Sequence, residues 1–292
     1  MLNRMKAIFF GNGLNRIDNS LDWEELLKKI SSGKLSNKEI PNTLQYESIL
    51  LSKKIGGGTD KEISLKKEIA KELCDLKTNE VYVELVNAPV SEYITTNYDV
   101  TFEKALVNAG FKRQIQDSSE AKYSVHRCRL YEKGGITKRI WYIHGEVGKP
   151  NSIMIGYDHY CGSLAKINAY VKGAYSLKRD FKKVVPMVRK LNNMKTQKIE
   201  SWIDLFFMSD LYFVGAGLAY EEIDVWWLLN MRARMIDEEN IKKQNNIVFY
   251  GDKNDDNGKS CLLESFGVFP KFENLSPPKD FKHFYLDAIK NV

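Results

Sequence analysis

Paired cysteines are missing from this chain. Its four cysteines, Cys74, Cys128, Cys161 and Cys261, are scattered with no Cys-x-x-Cys spacing, so the close-set soft ligands of a zinc ribbon are absent. Long apolar runs are missing as well. The longest, Leu211 to Tyr220, contains two glycines and is bounded by Asp210 and Glu221, which is too short and too interrupted to span a bilayer. The segment Met1 to Phe10 carries two basic residues and an apolar stretch shorter than the h-region of a signal peptide. With no export signal in view, the thiols are expected to stay reduced, which points to a cytoplasmic protein. Tandem repeats and low-complexity tracts are absent too.

Basic charge is present but not clustered. The formal net charge of +6 is spread along the chain, which suits anionic ligands in general, nucleotides among them. Direct binding of nucleic acid asks for a denser basic patch and is not expected. Mixed Lys and Glu, as in Lys61 to Glu72, read as solvated helix faces. What remains is a globular composition. Its 292 residues, 43% hydrophobic and 12% aromatic, can bury one large core, or a core with a smaller satellite, and exclude global disorder.

The chain opens with an apolar strand, Ala7 to Phe10, that runs straight into Gly11-Asn12-Gly13. A helix near Leu21 follows, with Trp23, Leu26, Leu27 and Ile30 on one face at helical spacing. The polar stretch 31–60, with Pro41 and three consecutive glycines from Gly56, reads as a variable insert with a short helix around Leu44 to Leu51. Another amphipathic helix covers Ile63 to Leu76. Tyr93 to Thr95 is a short buried strand, Thr96 to Asp99 its loop, and Val100 to Ala109 a helix. Lys122 to Tyr131 and Thr137 to Ile143 form a hairpin turned at Gly134-Gly135, which puts His126 on a strand. The stretch 157–201 is helical and basic, interrupted by Pro186, and is a candidate helical module or lid. The last third alternates again: strand Leu211 to Val214, helix Glu222 to Met235, strand Ile247 to Tyr250, a helix around Ser260 to Phe266, and a terminal helix from Asp280. Alternation of this kind predicts an α/β fold, with a mostly parallel Rossmann-like sheet covered by helices on both faces.

In such a sheet ligands bind at the carboxyl ends of the strands. Four of those ends carry unusual residues: Gly11-Asn12-Gly13, Thr96-Asn97-Tyr98-Asp99, His144-Gly145 and Gly215-Ala216-Gly217. Glycines after the first strand let backbone N–H groups approach a pyrophosphate at a helix N-terminus, although Arg16 stands where the third glycine of a dinucleotide fingerprint belongs. A plain tight turn is the competing reading. Asn97 and Asp99 lie between strand and helix, where either could serve as an N-cap or as a polar site residue. His144 ends a strand and precedes glycine, so its ring could face a pocket; a structural histidine is the alternative. His159, close to Tyr157 and Asp158, and His283 in the last helix have less context.

Taken in order, Gly11-Asn12-Gly13, Thr95-Thr96-Asn97-Tyr98-Asp99, Ile143-His144-Gly145 and Phe213 to Leu218 resemble the sirtuin-like superfamily, in particular the bacterial sirtuin-like domains of antiviral defence systems. The resemblance extends over nearly the whole chain, apart from 31–60 and the helical stretch after Tyr157. It implies a single NAD-binding domain with a smaller helical inserted module. It makes Asn97 and His144 the catalytic asparagine and histidine, and Asp99 the acidic residue near the nicotinamide pocket. Gly11, Asn12 and Gly13 would line the first phosphate turn, with Thr96 beside the ligand. Gly215, Gly217 and Leu218 would hold the adenosine-side ribose.

Three departures narrow the activity. Asn12 and Asn15 stand where sirtuins usually show alanine and serine. The zinc-binding cysteines of the protein deacylases are absent, and no substrate-peptide strand follows His144. These departures argue against lysine deacylation and for NAD hydrolysis ahead of ADP-ribosyl transfer, with NAD as a substrate and no metal; hydrolysis gives nicotinamide and ADP-ribose in an NAD-depleting antiphage effector. The family also implies a homo-oligomer and a separately encoded sensor or ATPase partner. Adjacent Trp226 and Trp227 read either as a contact surface or as half core. The competing function is a catalytically silent sensor of NAD or ADP-ribose that signals to a partner protein.

Overall fold

In the computed structural model, which describes residues 4–18, 23–31, 39–53, 59–115, 122–176, 183–193, 198–238, 241, 245–256, 258–276 and 279–292, the opening apolar run is a central strand. The strands are β1 (Lys6–Phe10), β2 (Glu92–Thr95), β3 (Lys112–Gln114), β4 (Cys128–Lys133), β5 (Ile136–Tyr142), β6 (Asp210–Val214), β7 (Ile247–Asp252) and β8 (Phe269–Glu273). They form one eight-stranded sheet in the order β3-β4-β5-β2-β1-β6-β7-β8. From β5 to β8 every neighbour is parallel, while β3, β4 and β5 pair antiparallel. The chain winds outward from β1 in one direction through β2 and in the other through β6. The crevice between β1 and β6 is therefore the topological switch point, where ligands of doubly wound sheets bind.

The helices are α1 (Gly13–Arg16), α2 (Trp23–Ile30), α3 (Asn42–Ser52), α4 (Thr59–Leu73), α5 (Glu80–Asn87), α6 (Thr101–Asn108), α7 (Tyr157–Val171), α8 (Met187–Asn192), α9 (Trp202–Met208), α10 (Ile223–Glu238), α11 (Lys259–Ser265) and α12 (Lys279–Lys290). Period-two alternation in the strands feeds two cores, because successive side chains leave opposite faces. Ala7 and Phe9 join Trp141, Phe213 and the apolar sides of α7 to α11, whereas Ile8 and Phe10 join Tyr93, Val214 and residues of α5, α6 and α12. Burial on both faces is why these strands read as continuous apolar runs.

A third cluster makes the smaller helical module. Leu26, Leu27 and Ile30 of α2, Tyr46 and Ile49 of α3, and Leu65 and Ile69 of α4 pack on Tyr98, Ile153 and Ile155. Those last three residues lie in the loops that follow β2 and β5, so the module sits over carboxyl ends of the sheet. The described part of 157–201 behaves differently. Ile167, Tyr170, Val171, Met187 and Leu191 are buried in the first main core, and Pro186 interrupts the helical stretch as expected, standing as the N-cap of α8 after the non-helical residues 183–185.

Several boundaries differ from the sequence pattern. The first hairpin strand begins at Cys128, and His126 lies in the turn before it, its Nδ1 2.6 Å from the Glu200 carbonyl. Two edge strands, β3 and β8, carry no clear signal. The first is three residues long and largely exposed, and the second contains Pro270, tolerated only because it lies on an edge. The sequence pattern also passed over α5 and α9, each too short to display more than two turns of periodicity. Trp226 is buried and Trp227 half-buried against the first core, which accounts for both rings as core. None of the four cysteines is joined in a disulfide.

Candidate active site

The four motifs leave the sheet at one level. Phe10 is paired with Thr95 on one side and Val214 on the other, and Thr95 is paired with Tyr142. The residues that follow, Gly11, Thr96, Gly215 and Ile143, therefore start side by side. Backbone bonds then tie the loops together: Ile143 N donates to Thr95 O at 3.1 Å, and Val147 N to Tyr98 O at 2.8 Å. Asn97 and His144 are thus carried on adjacent strands into one region.

Across the switch point the two glycine turns press on each other. Gly13 N donates to Gly215 O at 2.9 Å. A Cβ on Gly11 would lie 2.8 Å from Ala216 Cα, and one on Gly13 2.6 Å from Gly215 O. Close backbone approach is what demands glycine at both positions, and Gly215 adds a positive φ of 63° that a side chain would strain. Gly217 is exposed with open space around it, and the Lys259 ammonium holds its carbonyl at 2.6 Å. Leu218 is buried with a φ of +46°.

Beneath the first turn lies a polar network. The Asn15 amide donates to Asn12 Oδ1 and Asp99 Oδ2, both at 2.9 Å, while its Oδ1 accepts the Tyr82 hydroxyl at 2.7 Å. Every polar position of the Asn15 side chain has a role in this arrangement, which leaves its orientation unambiguous. Tyr82 OH in turn accepts from Asn97 Nδ2 at 3.5 Å, the long limit of a hydrogen bond. Asp99 Oδ1 also accepts from Thr101 N at 2.9 Å, closing the start of α6. Asn97 and Asp99 are each 7% exposed, and Thr96 is half-buried.

His144 is 2% exposed and faces a different partner. Its Nε2 lies 3.1 Å from Asp224 Oδ2 and 3.3 Å from Oδ1. The Tyr160 ring stands edge-on to the imidazole at 5.3 Å between centroids. Burial acts most strongly on His144 and disfavours its charged form, but Asp224 and Glu222 together outweigh it, so its pKa is raised. Glu222, whose Oε2 accepts Ala219 N at 2.9 Å, is pushed up to about 7. Burial is the main cause, opposed by His144 and reinforced by Asp224.

Of the residues singled out in the sequence, Asn12 and Asp99 meet through Asn15, and Asn97 joins them through Tyr82. His144 shares their region but is held separately by Asp224. Tyr82, Asp224 and Glu222 carried no sequence signal as site residues, and Asn15 stood out only as a departure from the sirtuin pattern in the first turn. Tyr82 sits on α5, which the periodicity missed, and Asp224 resembles any acid in the first turn of a helix. Among the described residues no group of His, Cys, Asp or Glu could hold a metal ion, and no helix is long and apolar enough to cross a membrane. A cavity of about 290 Å3 opens between α7, α8 and α10, lined by Val171, Pro186, Val188 and Met231, and touches none of the motif residues.

Comparison with known families agrees with this geometry. No curated protein matches the chain. The family model described as a SIR2-like domain matches residues 91–269, from the residue before β2 to the first residue of β8. The match takes in Asn97, Asp99, His144, Gly215, Gly217 and Asp224, and leaves out β1, its glycine turn and the helical module. It spans more than half of the chain, and its members are NAD-dependent enzymes. With the strand order, the switch-point glycines and that match in agreement, the protein belongs to the SIR2-like domain family of the sirtuin-like superfamily.

Proposed function

We propose that the protein is an NAD glycohydrolase that releases nicotinamide and ADP-ribose, acting as an NAD-depleting effector of bacterial antiphage defence. The observation that carries this reading is the register of the sheet, which brings the loops of Asn97 and His144 out beside the two glycine turns at the switch point. In the reaction the C1′–N bond of the nicotinamide riboside breaks, and its electron pair leaves with neutral nicotinamide. Positive charge builds on the ribose as in other glycoside cleavages. A water oxygen then bonds to C1′, and its proton passes to solvent. Nicotinamide is a good leaving group, so the protein's task is to hold the ribose and stabilise the cation.

Asn97 orients the water or a ribose hydroxyl through its amide. His144, whose side-chain type has an unperturbed pKa near neutrality, bonds a ribose hydroxyl and relays its proton. Asp99 orders the loop, a role favoured by its bonds to Asn15 and Thr101. Gly217 and Leu218 belong to the adenosine side, and Gly11 to Gly13 to the phosphate side, with the packed glycine turns setting how close a ligand backbone can come. Asn97, Asp99 and His144 are all nearly buried, so substrate enters only when the loops beneath the helical module give way. A low resting activity follows, released by a trigger acting through a homo-oligomer or a separately encoded sensor or ATPase.

The test is NAD consumption by purified protein with the products separated chromatographically. Nicotinamide and ADP-ribose should appear, and Asn97→Ala and His144→Ala should each abolish their release. Full cleavage in both variants would sink the assignment. Cyclic ADP-ribose in place of ADP-ribose would make the enzyme a cyclase, and saturable binding of NAD without cleavage under any trigger would make the protein a sensor.

A further inference from the structure

We propose that Asp224 is the positioning residue for His144: its carboxylate holds the ring with Nε2–H directed into the protein, so that Nδ1 is the nitrogen presented to substrate. The assignment rests on the reading that His144 works on the ribose of NAD, and it adds which face of the ring does so.

Asp224 lies in the first turn of α10 and is fully buried. Its Oδ1 accepts from Val225 N at 2.9 Å, and its Oδ2 from the Ser163 hydroxyl of α7 at 3.2 Å. The Val225 bond is what an acid complementing its own helix makes, but such an acid needs neither the Ser163 hydroxyl of α7 nor a histidine at 3.1 Å. An ionised carboxylate can only accept, so the hydrogen on the neutral imidazole must sit on Nε2. Among the described residues no hydrogen bond is made to Nδ1. Tyr160, also on α7, holds the ring edge-on. The arrangement is that of a base whose far nitrogen is oriented by a carboxylate.

Asp224 and Glu222, at the start of α10, are the charged groups that act on this ring and Tyr160 of α7 stands edge-on to it, while Ser163 of α7 and Tyr98 after β2 lie beside the Asp224 carboxylate. When Nδ1 takes a proton from a ribose hydroxyl or from the attacking water, an O–H bond breaks and an N–H bond forms. The resulting imidazolium is neutralised at once by Asp224, with no side chain having to move.

The experiment is nitrogen-15 NMR of the imidazoles together with the pH profile of NAD cleavage. The chain has four histidines, and the His144 signals are identified by their loss in His144→Gln. The wild type should show His144 as the Nε2–H tautomer with its midpoint raised above the ordinary imidazole value. In Asp224→Asn that midpoint should fall at least tenfold in proton affinity, and kcat should drop by about 10²-fold or more with KM little changed. Asp224→Glu should restore part of both. An Nδ1–H tautomer in the wild type overturns the proposal even if no variant folds. An unmoved His144 titration in folded Asp224→Asn overturns it as well. The NMR arm needs no turnover, so an inactive wild type would count against the glycohydrolase reading and leave the Asp224 assignment to be decided by the tautomer.

Discussion

Asn15 donates its side-chain amide to Asp99 at 2.9 Å, bridging residues 84 positions apart and joining the turn after β1 to the loop after β2. The same amide reaches Asn12, and the carbonyl oxygen takes the Tyr82 hydroxyl. One buried amide therefore sets the spacing between the turn after β1 and the loop that carries Asn97.

Replacing Asn15 should loosen both loops at once. Asn15→Ala strands the Tyr82 hydroxyl and an Asp99 oxygen, at a cost of about 1–3 kcal/mol for a lost buried hydrogen bond. Asn15→Asp should cost more, because it sets a second carboxylate against Asp99. Urea unfolding measures the loss, and NAD turnover should fall with it. A variant as stable and active as the wild type would show that the network is incidental.

The two glycine turns should respond in opposite ways. Gly13→Ala forces a Cβ to 2.6 Å from the Gly215 carbonyl and should cost about 1–3 kcal/mol, as overpacking does. Gly217→Ala meets nothing within 4 Å, so its stability should stay within about 0.5 kcal/mol of the wild type, while its affinity for NAD should weaken. Calorimetric binding unchanged in Gly217→Ala would remove that turn from the ligand path.

Stability should fall as pH rises through neutrality. The folded-state pKa of Glu222 is about 7, above the ordinary carboxylate value, so the folded chain binds its proton more tightly than the unfolded chain does. That contribution is complete at acid pH and is lost as pH climbs toward 7. The raised His144 pKa acts in the same direction, since its contribution is also lost as pH rises through its folded-state value. Glu222→Gln should therefore be more stable than the wild type at pH 8, by on the order of 1–3 kcal/mol, with the gap closing near pH 4.5. Thermal melts across that range check it, and a constant gap would place the effect elsewhere.

The helical module should govern access. Trp23 meets Tyr98 edge-on at 5.6 Å, so the module grips the loop of Asn97 and Asp99 through an aromatic pair. Trp23→Ala should destabilise by about 1–3 kcal/mol, speed hydrogen exchange in α2, α3 and α4, and raise the resting rate of NAD cleavage. A lower rate with unchanged exchange would make the module a support for the site rather than a cover.

The chain alone determined the α/β class, most of the parallel strands and the four strand ends with unusual residues, which the sheet brings out side by side. Those signals are local: a buried strand must be apolar along its length, and a turn that meets another backbone must be glycine. Asn97, Asp99 and His144 were legible because polar residues stand out at the end of an apolar run. Tertiary structure decided which residues serve them. Asn15, Tyr82 and Asp224 are distant in sequence from Asp99, Asn97 and His144, and each has an ordinary local explanation as a turn, helix or first-turn residue. The docking of α2 to α4 over the strand ends was likewise hidden, because their polar connections read as an insert and their apolar stripe finds its partner only in Tyr98, Ile153 and Ile155. Strand and turn are dictated by neighbours along the chain, whereas a hydrogen-bonded partner or a docking face is dictated by neighbours that only folding brings together.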